Sequence, residues 1–245
     1  MTVRRRDLVA AWLRTFAVQG SWNYRTLIGT GISFVSLPLL RRIYSDDPEA
    51  RRAAVERSLT PFNCHPYLSG MAAAALARVE MNEHPDTVER FRVALRGPLG
   101  RLGDQLVWAE WRPFCAMVGS LLFLFGLDPL LSAAVFLVGY NLGHVWLRVW
   151  GFRTGWDAGL QLGKVLQDSW LSVVAGKLRP VNQLLIGLAG PLLAARLTTG
   201  PLGAAAWPLM IVGGSLALYA YRWPTHGRRL AGVFLLSIPL IWWLT

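Results

Sequence analysis

The chain has 245 residues, of which 53% are hydrophobic and 16% are charged, and its mean hydropathy is +0.37. A soluble domain carries about 25% charged residues, so the composition excludes a cytosolic globular protein and favours an integral membrane protein. The formal net charge is +11, but the basic residues stand at the ends of apolar segments, where anionic lipid headgroups and the positive-inside bias account for them. We therefore expect membrane lipid, and no nucleic acid, as a partner.

The first part of the chain, residues 4–91, is amphipathic and rich in polar residues. This pattern predicts interfacial or partly inserted helices. The apolar run 27–40 is shorter than a bilayer span, and we expect Gly29, Gly31 and Pro38 to break it.

Three further elements are predicted before residue 91. The acidic sequence at 46–49 (DDPE) is a helix start, with a proline in the first turn and a glutamate that favours the positive end of the helix dipole. A cytoplasmic helix is therefore expected at 48–59. A helix of small residues, which allow close backbone approach, is expected at 66–77, and a polar connection at 84–86.

Residues 97–104 (GPLGRLGD) place three glycines, a proline and a carboxylate ahead of the first strongly apolar run. Pro98 interrupts a helix and the glycines permit backbone angles that other residues avoid, so we expect a loop at the membrane edge. Irregular backbone inside a membrane requires protein or a water-filled cavity to satisfy it. An ordinary turn between helices is the alternative interpretation.

The second part of the chain is strongly apolar and predicts four or five membrane segments. Their expected bounds are 114–127, 130–150, 181–197, 202–221 and 230–244, with a polar stretch at 153–179. Several are shorter than the roughly 20 residues of a straight span. We expect Gly190-Pro191 and Pro239 to interrupt two of them, giving tilted, broken or re-entrant helices. The predicted fold is an all-α polytopic membrane protein, a single domain over 1–245 with an amphipathic half (1–113) and a membrane-spanning half (114–245).

Basic residues near the N-terminus predict the orientation of the chain. They open the sequence and flank the first short apolar run: Arg4, Arg5, Arg6, Arg41, Arg42, Arg51 and Arg52. Short basic loops resist translocation, so we expect these loops and the N-terminus to face the cytoplasm. No uninterrupted apolar stretch follows the first arginines, and no signal peptide is expected.

Motifs of catalysis are lacking in the sequence. The glycines at 97–103 are not followed by the Lys-Ser/Thr of a phosphate-binding loop, and no His-Glu-x-x-His pair or serine nucleophile elbow occurs. Cys64 and Cys115 supply neither a disulfide framework nor a metal cluster. We therefore predict no cofactor, no metal and no catalytic residue.

Three sequence blocks resemble, in order, the IID subunits of the mannose/fructose/sorbose family of the sugar phosphotransferase system (PTS). The first is 19–24 (QGSWNY), similar to the family's Q-x-SWNY, continued by 37–44 (LPLLRRIY). The second is 57–67 (RSLTPFNCHPY), similar to RHLEFFNTHPY. The third is the glycine-rich stretch 97–104, followed by a tryptophan and an Arg-Pro pair, where the family has GPLAGxGD, Trp and RP.

The resemblance implies a non-catalytic membrane subunit of a sugar phosphotransferase. Such a subunit forms, with a IIC membrane subunit, the unit that carries a hexose-type sugar across the bacterial cytoplasmic (inner) membrane. The soluble IIA and IIB subunits relay phosphate from phosphoenolpyruvate through phosphohistidines. A hetero-oligomer of higher order is implied.

Candidate residues for the transport path or the subunit interface come from the three blocks. They are Trp22, Asn23, Tyr24, Asn63, His65, Gly97, Gly100, Gly103, Asp104 and Arg112. Several have a structural alternative: Trp22 and Tyr24 suit an interfacial anchor, His65 suits a packed and hydrogen-bonded histidine, and Asp104 suits a helix cap or a structural ion pair.

Other polar residues stand among apolar ones, where ionisable groups are costly and usually have a partner. They are Glu110, Asn141, Arg148, Asp157 and Asp168. Glu110 and Arg112 are two positions apart on a helix and do not face each other. We expect them to pair with other elements.

Departures from the family pattern leave a second interpretation open. Ser58 and Thr60 replace the usual His and Glu, and Arg101 interrupts the small residues of the third block. The alternative is a divergent regulatory or assembly membrane protein of an incomplete PTS. A membrane enzyme acting on an anionic lipid headgroup is a further alternative, but the sequence offers no cluster of carboxylates, histidines or metal ligands for it.

Overall fold

The computed structural model describes residues 3–197. This part of the chain is helical and contains no β-strand, so the prediction of an all-α fold is confirmed for these residues. The helices are α1 (Arg5–Arg14), α2 (Gly29–Ile43), α3 (Pro48–Leu59), α4 (Ser69–Glu80), α5 (Pro85–Gly103), a π-helix (Asp104–Trp111), α6 (Arg112–Leu124), α7 (Pro129–Ala158), α8 (Leu162–Gln167) and α9 (Trp170–Leu197). The segments predicted at 202–221 and 230–244, with Pro239, lie outside the described residues.

Helix α3 begins and ends where the sequence predicts. The Asp47 carboxylate accepts a hydrogen bond from the N–H of Ala50 at 2.8 Å, and Pro48 occupies the first helical turn. A side-chain acceptor at this position satisfies one of the backbone donors that an α-helix leaves free at its start.

Helix α2 is continuous, so the expectation of a break at Gly29, Gly31 and Pro38 is wrong. A Cβ at Gly31 would overlap the carbonyl of Val18, and one at Gly29 would overlap the carbonyl of Thr60. These glycines permit close packing of α2 on its neighbours and do not interrupt it. Pro38 lies inside the helix.

Helix α5 runs through the glycine-rich stretch, so the loop expected at 97–104 is also wrong. Leu95, Leu99 and Gly103 recur at four-residue spacing and are all buried, which places them on one face of a helix packed on the core. This packing overrides the weak helix propensity of glycine and proline. The helix starts at Pro85 and is capped by His84, whose imidazole accepts the N–H of Asp86, so the polar connection expected at 84–86 is a helix start.

Helix α4 lies at the centre of the main core. Eleven of its twelve residues are buried, and the four consecutive alanines Ala72–Ala75 are fully buried. Helix α7 crosses it closely, because Gly155 lies against the backbone of Met71 with no room for a side chain. This contact joins the two parts of the chain.

The second part is built on long apolar helices. Asp128 caps α7 by accepting the N–H groups of Leu130 and Leu131, which confirms the boundary predicted at Asp128-Pro129. Helix α7 has 30 residues and is about 45 Å long, more than the roughly 30 Å of a hydrocarbon core. The stretch Pro129–Gly190 is apolar enough to cross a membrane, and only 11% of its most apolar window is buried.

The predicted polar stretch 153–179 is helical for most of its length. Helix α7 continues to Ala158, and α9 begins at Trp170 and runs past positions 190–191, where a break was expected. The long α7 and α9 therefore replace the shorter interrupted segments that the sequence predicts.

Candidate functional site

The three blocks of the family resemblance meet at the segment 60–67, which connects α3 to α4. Leu27, just after the first block, forms an isolated parallel bridge with Phe62. On the other side, the N–H of His65 donates to the carbonyl of Leu99 in the third block at 3.4 Å. The second block therefore holds the first and third blocks together.

His65 is only 1% exposed and lies directly on Gly103, where a Cβ would overlap the imidazole. Its Nδ1 accepts the backbone N–H of Tyr67 at 3.2 Å, and its ring lies 5.0 Å from that of Trp108. Burial, followed by the nearby charge of Arg148, lowers the pKa of His65 to about 3. The histidine is therefore neutral, with its proton on Nε2, which meets no acceptor within residues 3–197.

A second layer of the same site comes from α7. The ring of Tyr67 stacks on His144 at 3.9 Å and 18°, and its hydroxyl bonds that of Tyr140. His144 Nε2 accepts Arg148 Nε at 2.6 Å, and the guanidinium also donates to the carbonyl of Thr15. These contacts connect segment 60–67 to α7 and to the end of α1.

We call this group the His65 cluster; it comprises His65, Tyr67, Trp108, Tyr140, His144 and Arg148. Arg148 is 4% exposed, and no carboxylate pairs with it among the residues that the structure describes. Its charge is instead held by a carbonyl, an imidazole and the ring of Tyr67, 5.0 Å away. A charge at such depth is costly and usually functional, so Arg148 strengthens this cluster as a candidate site.

The three candidate glycines have different surroundings. Gly103 contacts His65, Gly100 lies at ordinary distance from Cys64, and a Cβ at Gly97 would meet nothing. None of the three has a positive φ. The close approach at Gly103 is therefore the one physical requirement for glycine in this block.

Asp104 and Arg112 lie at the two ends of the π-helix. Asp104 is its first residue and is exposed, and its side chain accepts no hydrogen bond within the described residues. The helix cap expected for it is therefore wrong. Arg112 places its guanidinium 4.9 Å from the ring centre of Trp108, next to the His65 cluster, while Asn63 is exposed.

The remaining candidates form a separate aromatic tip, Trp22–Tyr24, away from the His65 cluster. Tyr24 is 91% exposed and Trp22 46%, with ring centres 4.8 Å apart. The side-chain oxygen Oδ1 of Asn23 accepts the backbone N–H groups of Arg25 and Thr26, which fixes the tight turn. The turn presents the two rings to the outside.

Sequence reasoning missed a second buried polar group beneath segment 60–67. Arg92 donates from Nε to the hydroxyl of Thr60 and from Nη2 to the carbonyls of Ser58 and Thr60, at 2.7–2.9 Å. Burial lowers the pKa of Arg92 to about 10. The spacing of Arg92 with Val88 and Leu95 on the buried face of α5 is the signal that identifies it.

Glu80 completes this region at the end of α4. Its carboxylate accepts Arg57 Nη2 at 2.9 Å and the hydroxyl of Tyr44 at 2.6 Å. Burial and the hydrogen bond to Glu80 raise the pKa of Tyr44 to about 12. The carboxylate thereby connects α2, α3 and α4.

Glu110 pairs across elements, as expected. Its carboxylate accepts Arg179 Nε at 3.1 Å and the amide of Asn182 at 2.9 Å. The π-helix is thereby tied to α9. Among residues 3–197, no three histidine, cysteine or acidic side chains converge as a metal site would require.

The described residues form an all-helical structure with an apolar helix of membrane-spanning length. A cluster of polar and aromatic side chains lies between its two parts. These features are those of a helical membrane protein. A sequence model of the PTS mannose/fructose/sorbose family IID component matches residues 2–191. The chain belongs to that family.

Relatives with a described role agree with the family. The chain is 29% identical over 171 residues to the PTS mannose-specific EIID component of Escherichia coli K12, covering 67% of this chain and 60% of the relative. It is 30% identical over 166 residues to the sorbose-specific EIID component of Klebsiella pneumoniae, covering 65% and 60%. The chain thus spans about 60% of the length of the curated relatives it matches.

Two solved structures share the fold. One, described as a membrane protein, has a TM-score of 0.69 at 24% identity over 78% of this chain and 71% of the other. The second is the mannose transporter ManYZ in complex with microcin E492, with a TM-score of 0.60 at 21% identity over 96% of this chain and 95% of the other. At these identities the likeness concerns the fold alone.

Proposed function

We propose that this chain is the IID subunit of a mannose-type PTS. It works with a IIC membrane subunit to form the translocation unit for a hexose-type sugar. Transport is coupled to phosphorylation of that sugar by soluble IIA and IIB subunits. The main support is the convergence of the three family blocks on segment 60–67, within a chain whose residues 2–191 match the family.

The role of this subunit in the transporter is structural and non-catalytic. A phosphohistidine must be reached by its phosphate donor, but His65 is buried in contact with Gly103. Its neutral imidazole instead fixes the distance between segment 60–67 and the start of the π-helix. This fixed joint braces the membrane helices of the IIC partner.

The exposed apolar surface supports a membrane-embedded complex. Helix α7 presents large side chains along most of its length, including Leu130, Leu131, Leu137, Val138, Leu142 and Trp146. A surface of this kind on one long helix suits lipid or another membrane subunit and does not suit water. The helices of the second part therefore lie in the bilayer beside IIC, as a polytopic arrangement.

One observation favours the second candidate, a regulatory or assembly protein of an incomplete PTS. Thr60 stands where the family pattern has a glutamate, so buried Arg92 meets neutral acceptors at this position. If the carboxylate takes part in coupling, this chain assembles with IIC without supporting transport.

The test is reconstitution in cells that lack their own mannose-type systems. IIA, IIB and IIC of one such system are expressed with or without this chain, and uptake of labelled mannose, fructose and sorbose is measured with the amount of membrane complex. Uptake that requires the chain supports the proposal. Complex formation without uptake of any of the sugars supports the regulatory alternative, and no association with IIC contradicts both.

Matched glycine variants test whether the contact between Gly103 and His65 is needed for the complex and for uptake. Gly103→Val should reduce both the complex and uptake, because the new side chain collides with His65. Gly97→Val is the control on the same helix, where a Cβ meets nothing. Asp104→Asn should preserve the complex, and its effect on uptake reports whether this exposed carboxylate lies on the transport path.

The orientation is proposed to be N-terminus cytoplasmic in the inner membrane, because of the arginines that flank α2. A cysteine at exposed Asp46 (Asp46→Cys) should resist labelling from the periplasmic side and react after the cells are opened. The native Cys64 and Cys115 are buried and give little background. Labelling of Asp46→Cys in intact cells reverses the orientation.

A further inference from the structure

A cavity of about 160 Å³ lies between the π-helix, α7 and α9, behind the His65 cluster. Its apolar wall is formed by Leu106, Val107, Trp111, Leu147, Trp170 and Val174. Trp111 lies directly on Gly143 of α7, where a side chain would displace the indole. The absence of a side chain at Gly143 therefore shapes one wall of the cavity.

The apolar lining of the cavity favours a hydrocarbon ligand. The polar groups of Tyr67 and His144, which also line the cavity, are already bonded to Tyr140 and Arg148. Trp111 Nε1 is buried and meets no acceptor within the described residues. A sugar would bring several hydroxyl groups to a wall that is almost entirely apolar, and buried polar groups without partners are unfavourable.

The size of the cavity agrees with this selection. Apolar cavities of about 150 Å³ stay free of water and take up small hydrocarbons such as benzene. This cavity is of the same size, and Trp146, one of its lining residues, is 53% exposed on the apolar surface of α7. Since α7 is long enough to span the bilayer, the molecules available beside Trp146 are membrane lipids.

We infer that the cavity binds the end of an acyl chain of a membrane phospholipid. The acyl chain enters past Trp146 and packs among Trp111, Trp170 and Val174. The bound acyl chain fills the space between the π-helix and α9, next to the ion pair of Glu110 and Arg179 that connects these two helices.

The inference is tested with the full chain, together with any membrane partner that co-purifies, in bilayers of phosphatidylcholine whose acyl chains carry bromine. Bromine quenches tryptophan fluorescence at short range, so a brominated acyl chain in the cavity quenches the fluorescence of Trp111 and Trp170. Val174→Phe fills the cavity from α9, and Val174→Leu fills less of it. Val173→Phe is the matched control, because Val173 is the neighbouring exposed residue and does not line the cavity.

We expect the quenched fraction to fall in Val174→Leu, to fall further in Val174→Phe and to stay at the wild-type level in Val173→Phe. Circular dichroism and elution volume check that each variant folds, and the milder Val174→Leu keeps the test valid if Val174→Phe does not. Equal quenching in all folded forms overturns the inference. Quenching that appears only after a co-purified partner is removed also overturns it, because a partner side chain then fills the cavity.

Discussion

Helices α4 and α7 pack against each other, yet their surroundings are opposite. Helix α4 is enclosed by protein on nearly every side, whereas α7 is buried mainly at Leu147, Arg148, Gly151, Phe152 and Gly155, near the crossing. A helix that is apolar all round is either a core helix or a membrane helix. The burial pattern distinguishes the two here: the first part of the chain encloses its own core, whereas α7 keeps most of its apolar surface uncovered by the other described residues.

The largest effect is expected where the two parts meet. In Gly155→Ala the new methyl group overlaps the carbonyl of Met71, and α4 and α7 must separate. Overpacking of this kind costs on the order of 3 kcal/mol, measured as a loss of unfolding free energy in detergent.

The control for this variant is Gly176→Ala on α9, where a Cβ has open space. Replacing glycine by alanine within a helix should raise stability there by about 0.5–1 kcal/mol. If Gly155→Ala behaves like Gly176→Ala, the close crossing of α4 and α7 is wrong.

The next comparison removes one charge from each part. Glu80→Gln leaves Arg57, whose side chain is 21% exposed, without its partner in the enclosed part, and should cost about 3 kcal/mol. Glu110→Gln should cost about 1 kcal/mol, because the side chain of Arg179 is 57% exposed and can find other partners. Chemical denaturation of the two variants measures the difference, and equal losses would contradict the contrast between the parts.

A smaller effect is expected from the hydroxyl that holds Arg92. Thr60→Val removes the acceptor of a buried guanidinium N–H, with an expected loss of about 1–2 kcal/mol. Thr87→Val removes the acceptor of Arg90 at the surface and should change stability little. Thermal unfolding of the pair measures this, and a neutral Thr60→Val would show that water replaces the hydroxyl.

The smallest effect is expected for the exposed pair of Arg52 and Glu56 on α3, 3.0 Å apart. Arg52→Ala should cost at most about 0.5 kcal/mol, since exposed pairs at this helical spacing contribute little. High salt should remove even this difference. A larger loss that persists in salt would mean that Arg52 contacts another element.

Parts of this fold can be predicted from interactions between residues that are close together in the sequence. The Asp47 cap, the bounds of α3 and the start of α7 at Asp128-Pro129 follow from side chains that bond their own neighbours in the chain. The family blocks identified His65 and Gly103 as candidates. Their direct contact is a property of the fold, since it depends on how α5 packs on segment 60–67.

The errors share one physical cause. Weak helix propensity of glycine and proline predicts helix breaks at Gly29, Gly31, Pro38 and the stretch 97–103. Tertiary packing decides the outcome, and Gly29, Gly31 and Gly103 permit close contact with a carbonyl or a ring. Arg92 was missed for a related reason: its acceptors are the carbonyls of Ser58 and Thr60, which no sequence pattern marks.

The burial of α4 also predicts how it tolerates substitution. A helix at a surface alternates permissive and restrictive positions with a period of 3.6 residues. In α4 the run Ala72–Ala75 has no outward position, so every larger side chain must displace a neighbouring helix. A complete substitution scan should therefore show an unbroken intolerant block there, without helical periodicity, and the width of one methyl group sets the spacing of the helices around it.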